Sequence, residues 1–334
     1  MIRLRLKVED YLTVPVWIAI AVFAVFANDY SASIWASYIF NIPMALGLAL
    51  LWGFAGVLSF GQVAFFGLSG YAYGVIAGNL GESAALASWI GAGGALALSV
   101  ALALAVGWFV FYSRVEAWIV PIVTLVISLI LAAFLGQTAG YQWRIGEVHL
   151  GGYNGMTGIP GMNLFGIDLQ GRLFLFFVIF VAVLAWLVCV ICTRSRYGDS
   201  LIALREDAVR TELFGHDIRF LQTSCFMISA ALAGLSGVLY VQWGSYITPD
   251  SMGLLQATLP VIWVAVGGRS SLLGVILSTL ALNALTYQLS SAGNQYAFVI
   301  LGVLLVVVMV IPTTRAGKAL SAKWRRLTHN FSEG

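Results

Sequence analysis

Charge is what this sequence has least of. Asp, Glu, Lys and Arg make up 9% of its 334 residues, where soluble domains carry about 25%. A chain so poor in charge cannot cover a water-facing surface, and its mean hydropathy of +0.94 agrees. Histidine and cysteine are sparse too, with three of each. His149, His216 and His329 are scattered, and nothing near Cys189, Cys192 or Cys225 completes a metal site. No carboxylate pair, metal-ligand cluster or histidine-based nucleophile arrangement is present, which argues against a membrane enzyme and implies no cofactor. There is no G-x-x-x-x-G-K-S/T run, hence no phosphate-binding loop. The net charge of +3 is no nucleic-acid signal, because the basic residues sit at the ends of apolar runs. The first such run is long enough to span a bilayer and lacks a small-residue cleavage site, so no cleavable signal peptide is expected.

What is abundant is apolar sequence, 60% of the chain. Runs near 20 residues match a hydrocarbon core of about 30 Å. They lack the in/out alternation of barrel strands, so the spans are helices. Ten segments are expected: 11–28, 32–52, 57–78, 85–112, 117–136, 173–193, 220–243, 256–267, 272–289 and 296–312. Segment 256–267 is too short to span upright and reads as extended, broken or re-entrant. Three basic clusters set the orientation. They are Arg3, Arg5 and Lys7; Arg194, Arg196, Arg205, Arg210 and Arg219; and Arg315, Lys318, Lys323, Arg325 and Arg326. These hold 13 of the 17 basic residues. All three are expected in the cytoplasm, with both termini, and the span count between them has the right parity.

The loop at about 137–172 then lies outside the cell. It is rich in Gly, with Tyr141, Trp143, Tyr153 and Phe165, and reads either as an interfacial segment or as an outer docking surface or gate. Asp29, Glu82, Glu116 and Asp250 fall at span ends. No Asp, Glu, Lys or His lies well inside an assigned span, which argues against an ion-coupled secondary transporter. Polar residues that do fall inside spans are Asn41, Ser59, Gln62, Thr124, Ser128 and Asn283. Unpaired amides and hydroxyls are costly in lipid, so these are expected to face a translocation path or a partner. Gln62 is the strongest candidate, since Gly61 lets the backbone open there. Packing hydrogen bonds would account for any one of them equally well.

One stretch breaks the apolar pattern: "LIALREDAVRTELFGHDIRF", residues 201–220. Residues 199–214 have helical spacing, with Leu201, Leu204 and Ala208 on one face and Val209 and Leu213 beside it. Asp199 or Ser200 is expected to cap its start and Gly215 to stop it in the left-handed region. From Asp199 to Asp217 there are two Arg against five acidic residues. That balance favours protein docking over a helix lying on anionic lipid.

This stretch, within 195–240, resembles the cytoplasmic loop of permeases in ATP-binding cassette importers for branched-chain amino acids. Leu204-Arg205-Glu206-Asp207 and Phe214-Gly215 take the places of that family's R-E/D and G-hydrophobic pattern. "GFAGVLSFGQVAFFGLSGYAYG" (53–74), "GGYNGMTGI" (151–159) and "VAVGGRSSLLGVILS" (264–278) resemble its Gly-rich run, outer element and Gly-Gly turn, in order. The resemblance implies an all-α membrane protein, a polytopic helical bundle of about ten segments with a type II-like ABC importer permease architecture. It implies a single permease domain over 1–334, a cytoplasmic coupling loop at 195–219 and an extracytoplasmic loop at 137–172. It implies residence in a bacterial inner membrane and no ATPase site in this chain. The implied partners are cytoplasmic ATP-binding subunits, a second related permease forming a heterodimer, and a soluble periplasmic or extracellular solute-binding protein. Coupling to the ATPase is then expected of Leu201, Leu204 and Ala208 as buried contacts, Arg205, Glu206 and Asp207 as their rim, and Gly215 as the stop. A charge-free interior suits branched-chain amino acids; urea and short-chain amides fit the same family.

Overall fold

The structure, a computed structural model, describes residues 6–291 except 82–83, 114, 117 and 165, together with 299–300 and 302–303. The chain forms two compact units, 1–280 and 281–334. The expected segment 296–312 lies outside the described residues but for those four. Arg3, Arg5, Glu82, Arg114, Phe165, His329 and the last basic cluster also lie outside them.

Twelve α-helices are described: α1 Val8–Phe26, α2 Asp29–Ile39, α3 Ile42–Leu48, α4 Gln62–Asn79, α5 Ala84–Gly107, α6 Val120–Gly136, α7 Gly171–Arg194, α8 Arg196–Glu206, α9 Ala208–Leu213, α10 Ile218–Gly244, α11 Leu254–Gly267 and α12 Leu272–Ser291. Helix α3 runs on into a π turn at Ala49–Phe54, and α5 into another at Trp108–Tyr112. Six stretches are long and apolar enough to cross a membrane: Val8–Phe26, Asp29–Phe54, Ala85–Tyr112, Gly171–Arg194, Ile218–Gly244 and Leu272–Ser291. Two further apolar helices, α6 and α11, are shorter. Helix α4, long enough to span, is not among these six stretches.

Helix α10 is the axis of the first unit and packs on α3, α4 and α5, while α1 and α2 pack on α7. Lipid tails offer no hydrophobic drive between helices, so close approach of small residues and hydrogen bonds must hold them. Ser99 Oγ donates to the Ala230 carbonyl at 3.2 Å, Ser69 Oγ to that of Ala95 at 3.2 Å, and Ser236 Oγ accepts from the Met44 N–H at 2.9 Å. Asp217 caps the start of α10, accepting from the N–H groups of Arg219 and Phe220.

The expected span 57–78 is not one helix. Between the π turn and α4, residues 55–61 are unwound. The expected span 32–52 breaks at Phe40–Asn41, just before Pro43 at the start of α3.

The two ends of the unit differ. At one end α1 starts, α7 stops, α8 and α9 sit, and α11 turns into α12. At the other, the 137–170 region folds into short hairpins. β1 (Arg144–Ile145) pairs with β2 (Val148–His149), and β4 (Asn163–Leu164) with β5 (Ile167–Asp168). β3 (Met156–Thr157) pairs with β6 (Tyr246–Ile247) beyond α10, Met156 opposite Ile247. The Asn79 side chain holds this cover to α4, donating to the Ile145 carbonyl at 2.9 Å and accepting from the Glu147 N–H at 2.8 Å.

After β6 the chain dips inward. Met252, fully buried, seats against Gly67, and α11 begins there at Leu254. Segment 256–267 thus lies in a 14-residue helix, about two-thirds of a span, whose lead-in at Met252 is covered by protein rather than lipid.

Candidate functional site

The charged stretch folds as two helices rather than one. α8 starts at Arg196, ahead of the expected Asp199 or Ser200 cap. Asp207 breaks it, lying extended, and its carboxylate accepts from the Arg210 N–H at 3.0 Å to cap α9. Gly215 closes α9 with φ +87°. The break redistributes the apolar face. Leu201 and Leu204 are 0% and 4% exposed, covered by this chain itself, and Ala208 is half-buried. The apolar groups left open are Val209, Leu213 and Phe214, at 69%, 82% and 84% exposure. Tyr197 on α8 bonds Ser224 at 2.8 Å, and burial pushes its phenol pKa up, so it stays neutral.

Arg205, expected at a rim, turns inward. Its Nη1 donates to the Gly53 carbonyl at 2.5 Å, at the end of the π turn, and lies 3.4 Å from Ser270 Oγ in the α11–α12 turn. Its stem lies on Gly56, whose φ is +78° and where an added Cβ would stand 2.8 Å from Arg205 Cγ. Glu206 holds the other edge of the guanidinium, at 2.7 Å from Nη2. The turn itself presses on the π turn: a Cβ at Gly53 would overlap the Arg269 carbonyl oxygen. Three of the four sequence elements that stood out, 53–74, 195–240 and 264–278, therefore meet at one point. The fourth, 151–159, packs at the opposite end, where Met156 lies against Gly74.

Four of the six polar candidates cluster where the unwound segment meets α6. Thr124 Oγ1 accepts from the Phe60 N–H at 3.2 Å, satisfying a backbone donor the missing helix would have used. Ser59 Oγ accepts from the Gly61 N–H at 3.1 Å, and Ser128 Oγ donates to the Thr124 carbonyl at 3.1 Å. Gln62 opens α4, donating through Nε2 to Ser229 Oγ at 3.0 Å; its buried Oε1 has no partner among the described residues. Asn41 stands apart, donating to the Ser37 carbonyl at 3.2 Å. Asn283 belongs to the other unit, on α12, half-buried.

Two features escaped the sequence reading. Arg194, ending α7, is sealed against α1: its Nε meets Asp10 Oδ2 at 2.8 Å and its Nη2 meets Glu9 Oε1 at 2.5 Å. The other Glu9 oxygen accepts from Ser271 Oγ at 3.0 Å, so the cluster also grips the α11–α12 turn. The acidic pair next to a basic N-terminal run was its only trace in the sequence. At the end that carries the 137–170 hairpins a cavity of about 490 Å³ is lined by Ser33, Met162, Asp168, Phe174, Gln242 and Trp243, among others. Gln242 there also leaves a buried Oε1 unpartnered among the described residues.

Comparison with known proteins fits this arrangement. A family described as the branched-chain amino acid transport system / permease component matches residues 30–309. The chain is 26% identical over 306 residues to the high-affinity branched-chain amino acid transport system permease protein LivM of Escherichia coli K12, covering 82% of this chain and 68% of that one. A probable LivM of Methanocaldococcus jannaschii is 24% identical over 265 residues, covering 71% and 74%. LivH of Salmonella typhimurium is 25% identical over 286 residues, covering 82% and 90%. No solved structure matches. A match over most of the length, on a multi-pass apolar bundle whose motifs converge as described, makes this chain a member of the branched-chain amino acid transport permease family.

Proposed function

We propose that this chain is the permease subunit of an ABC importer. It forms the translocation path for branched-chain amino acids across the inner membrane and is driven by ATP hydrolysis in a partner. The observation that carries the energy-coupling half is the open apolar patch Val209, Leu213 and Phe214. It sits on a short helix pair at the end of the bundle that carries the Arg194–Asp10 and Arg205–Glu206 pairs. Large apolar groups rimmed by Arg210, Glu212 and Asp217 suit a protein cleft: burial supplies affinity, and the mixed rim sets register. The docking surface is thus α9 with Phe214, while α8, with Leu201 and Leu204 beneath it, ties that surface to the bundle. Both termini and the 195–219 loop are on the cytoplasmic side in this reading, and 137–172 is outside.

The path runs by the cluster of Ser59, Gln62, Thr124 and Ser128, whose uncharged donors and acceptors suit a neutral or zwitterionic solute. The free Gln62 oxygen supports it. The outer cavity is where solute from a binding protein is received, and a second related permease completes the path.

The test is reconstitution with the partner permease, the ATP-binding subunits and the binding protein. Leu213→Asp should abolish capture of the ATP-binding subunit and ATP-driven leucine uptake, with normal membrane insertion. Undiminished capture would remove the docking assignment. Uptake of urea but not leucine by the unaltered complex would overturn the substrate.

A further inference from the structure

Arg205 stands on the helix pair offered to a partner, yet its guanidinium grips this chain. Its side chain is 25% exposed, too covered for a rim charge. Its three contacts belong to three different elements: the Gly53 carbonyl, the Ser270 hydroxyl and its neighbour Glu206. The Gly53 carbonyl lies at the end of a helical run, where backbone acceptors lose their intrahelical partners. A charged donor there makes a strong hydrogen bond. Two residues on, the chain unwinds into 55–61, which carries Ser59 and leads into Gln62.

We propose that Arg205 is a positioning residue for transport. Its guanidinium links α8 both to the end of the π turn, which leads into the unwound segment, and to the α11–α12 turn, so that a displacement of α8 reaches Ser59, Gln62 and Thr124 through one side chain. This rests on the reading of α8 and α9 as the ATPase-facing pair. The link is built to let go. Both groups it holds beyond α8 are neutral, the Ser270 contact is long, and no carboxylate from either gripped element fixes it. A small shift of α8 therefore breaks the contacts without separating buried charges. Lysine cannot replace it, because a single ammonium lacks the planar fork that reaches Gly53, Ser270 and Glu206 at once.

The experiment uses the full chain in the reconstituted complex, with Cys192→Ser to remove the half-exposed native thiol. Ser59→Cys then reports on the unwound segment. Ser59 is fully buried, so labelling by a hydrophilic thiol reagent from the cytoplasmic side starts slow. Arg205→Met keeps the stem against Gly56 and removes the fork. It should speed Ser59→Cys labelling severalfold. It should also cut, by about tenfold, the uptake and the rise in ATP hydrolysis that loaded binding protein produces, within the usual span of coupling between sites. Arg205→Lys should behave like Arg205→Met. Arg196→Met, exposed on the same helix, should change neither readout. Unchanged labelling and uptake in Arg205→Met would overturn the proposal. Lost capture of the ATP-binding subunit with unchanged labelling would overturn it too, making Arg205 a docking residue. If the unaltered complex transports no branched-chain amino acid, the functional reading fails, and the labelling comparison still decides the link.

Discussion

Arg194 and Arg205 both bear on the turn at 268–271, Arg194 through Glu9 and Arg205 directly, and they hold in opposite ways. Arg194 is sealed, its side chain 2% exposed, with carboxylates from α1 on both edges of its fork. Arg205 is a quarter exposed and holds a neutral carbonyl and a hydroxyl. Buried charges are expensive to separate, so the first contact is the costlier of the two to open. The second opens at low cost. One face of the turn is anchored and the other is free to follow α8, which is the arrangement a hinge requires.

The sharpest way to break this contrast is Arg194→Met. It strands Asp10 and Glu9 without their counter-charge, and removing one partner of a buried pair costs about 3–5 kcal/mol. Thermal unfolding in detergent should show a large loss of stability; a loss no greater than that of Arg205→Met would erase the distinction between anchor and latch. Gly53→Ala comes next. Its Cβ would overlap the Arg269 carbonyl oxygen, and forced overpacking of this kind costs about 1–3 kcal/mol. It should part the turn from the π turn and depress uptake more than stability. Near-native uptake would show that the close approach has no role in transport. The smallest effect is expected for Glu206→Ala. Glu206 is 68% exposed at its side chain, and an exposed pair contributes under about 1 kcal/mol. The melting temperature should hardly move, while uptake falls partway towards that of Arg205→Met, because the fork loses its brace.

The sequence made the long helices legible because their apolar runs are unbroken. α5, α7 and α10 lie within a few residues of where hydropathy places them. The unwinding at 55–61 was read only in part: a break was placed at 53–56, where Gly56 takes a positive φ, but the apolar Val57 and Leu58 drew the next span forward over 57–61. The charged stretch was recognised as the unusual part of the chain, but its face was assigned as if it were one helix. Periodicity shows that Leu201 and Leu204 share a side; it cannot show what covers them. An Asp directly after Glu206 was a readable cap for a second helix. The Arg194–Asp10 pair could not be read at all, since 184 residues separate its members and each looks like an ordinary charge at a membrane edge. Of the polar candidates, Ser59, Gln62, Thr124 and Ser128 were gathered by the fold, and Asn41 was not.

The short length of α11 and its buried lead-in also bear on how the chain is made. Its 14 residues reach about 21 Å at 1.5 Å per residue, short of a hydrocarbon core near 30 Å. It follows Met252, seated on Gly67 of α4, with Pro260 in its interior. Such a segment does not partition into lipid as an independent unit during synthesis. Its short 3-10 lead-in, Pro249–Met252, has acceptable surroundings only once α4 and α6 stand beside it. The order of the chain meets this need, because both are translated before residue 245. A permutation that placed α11 ahead of them would expose bare backbone to lipid and should leave the nascent protein to quality control.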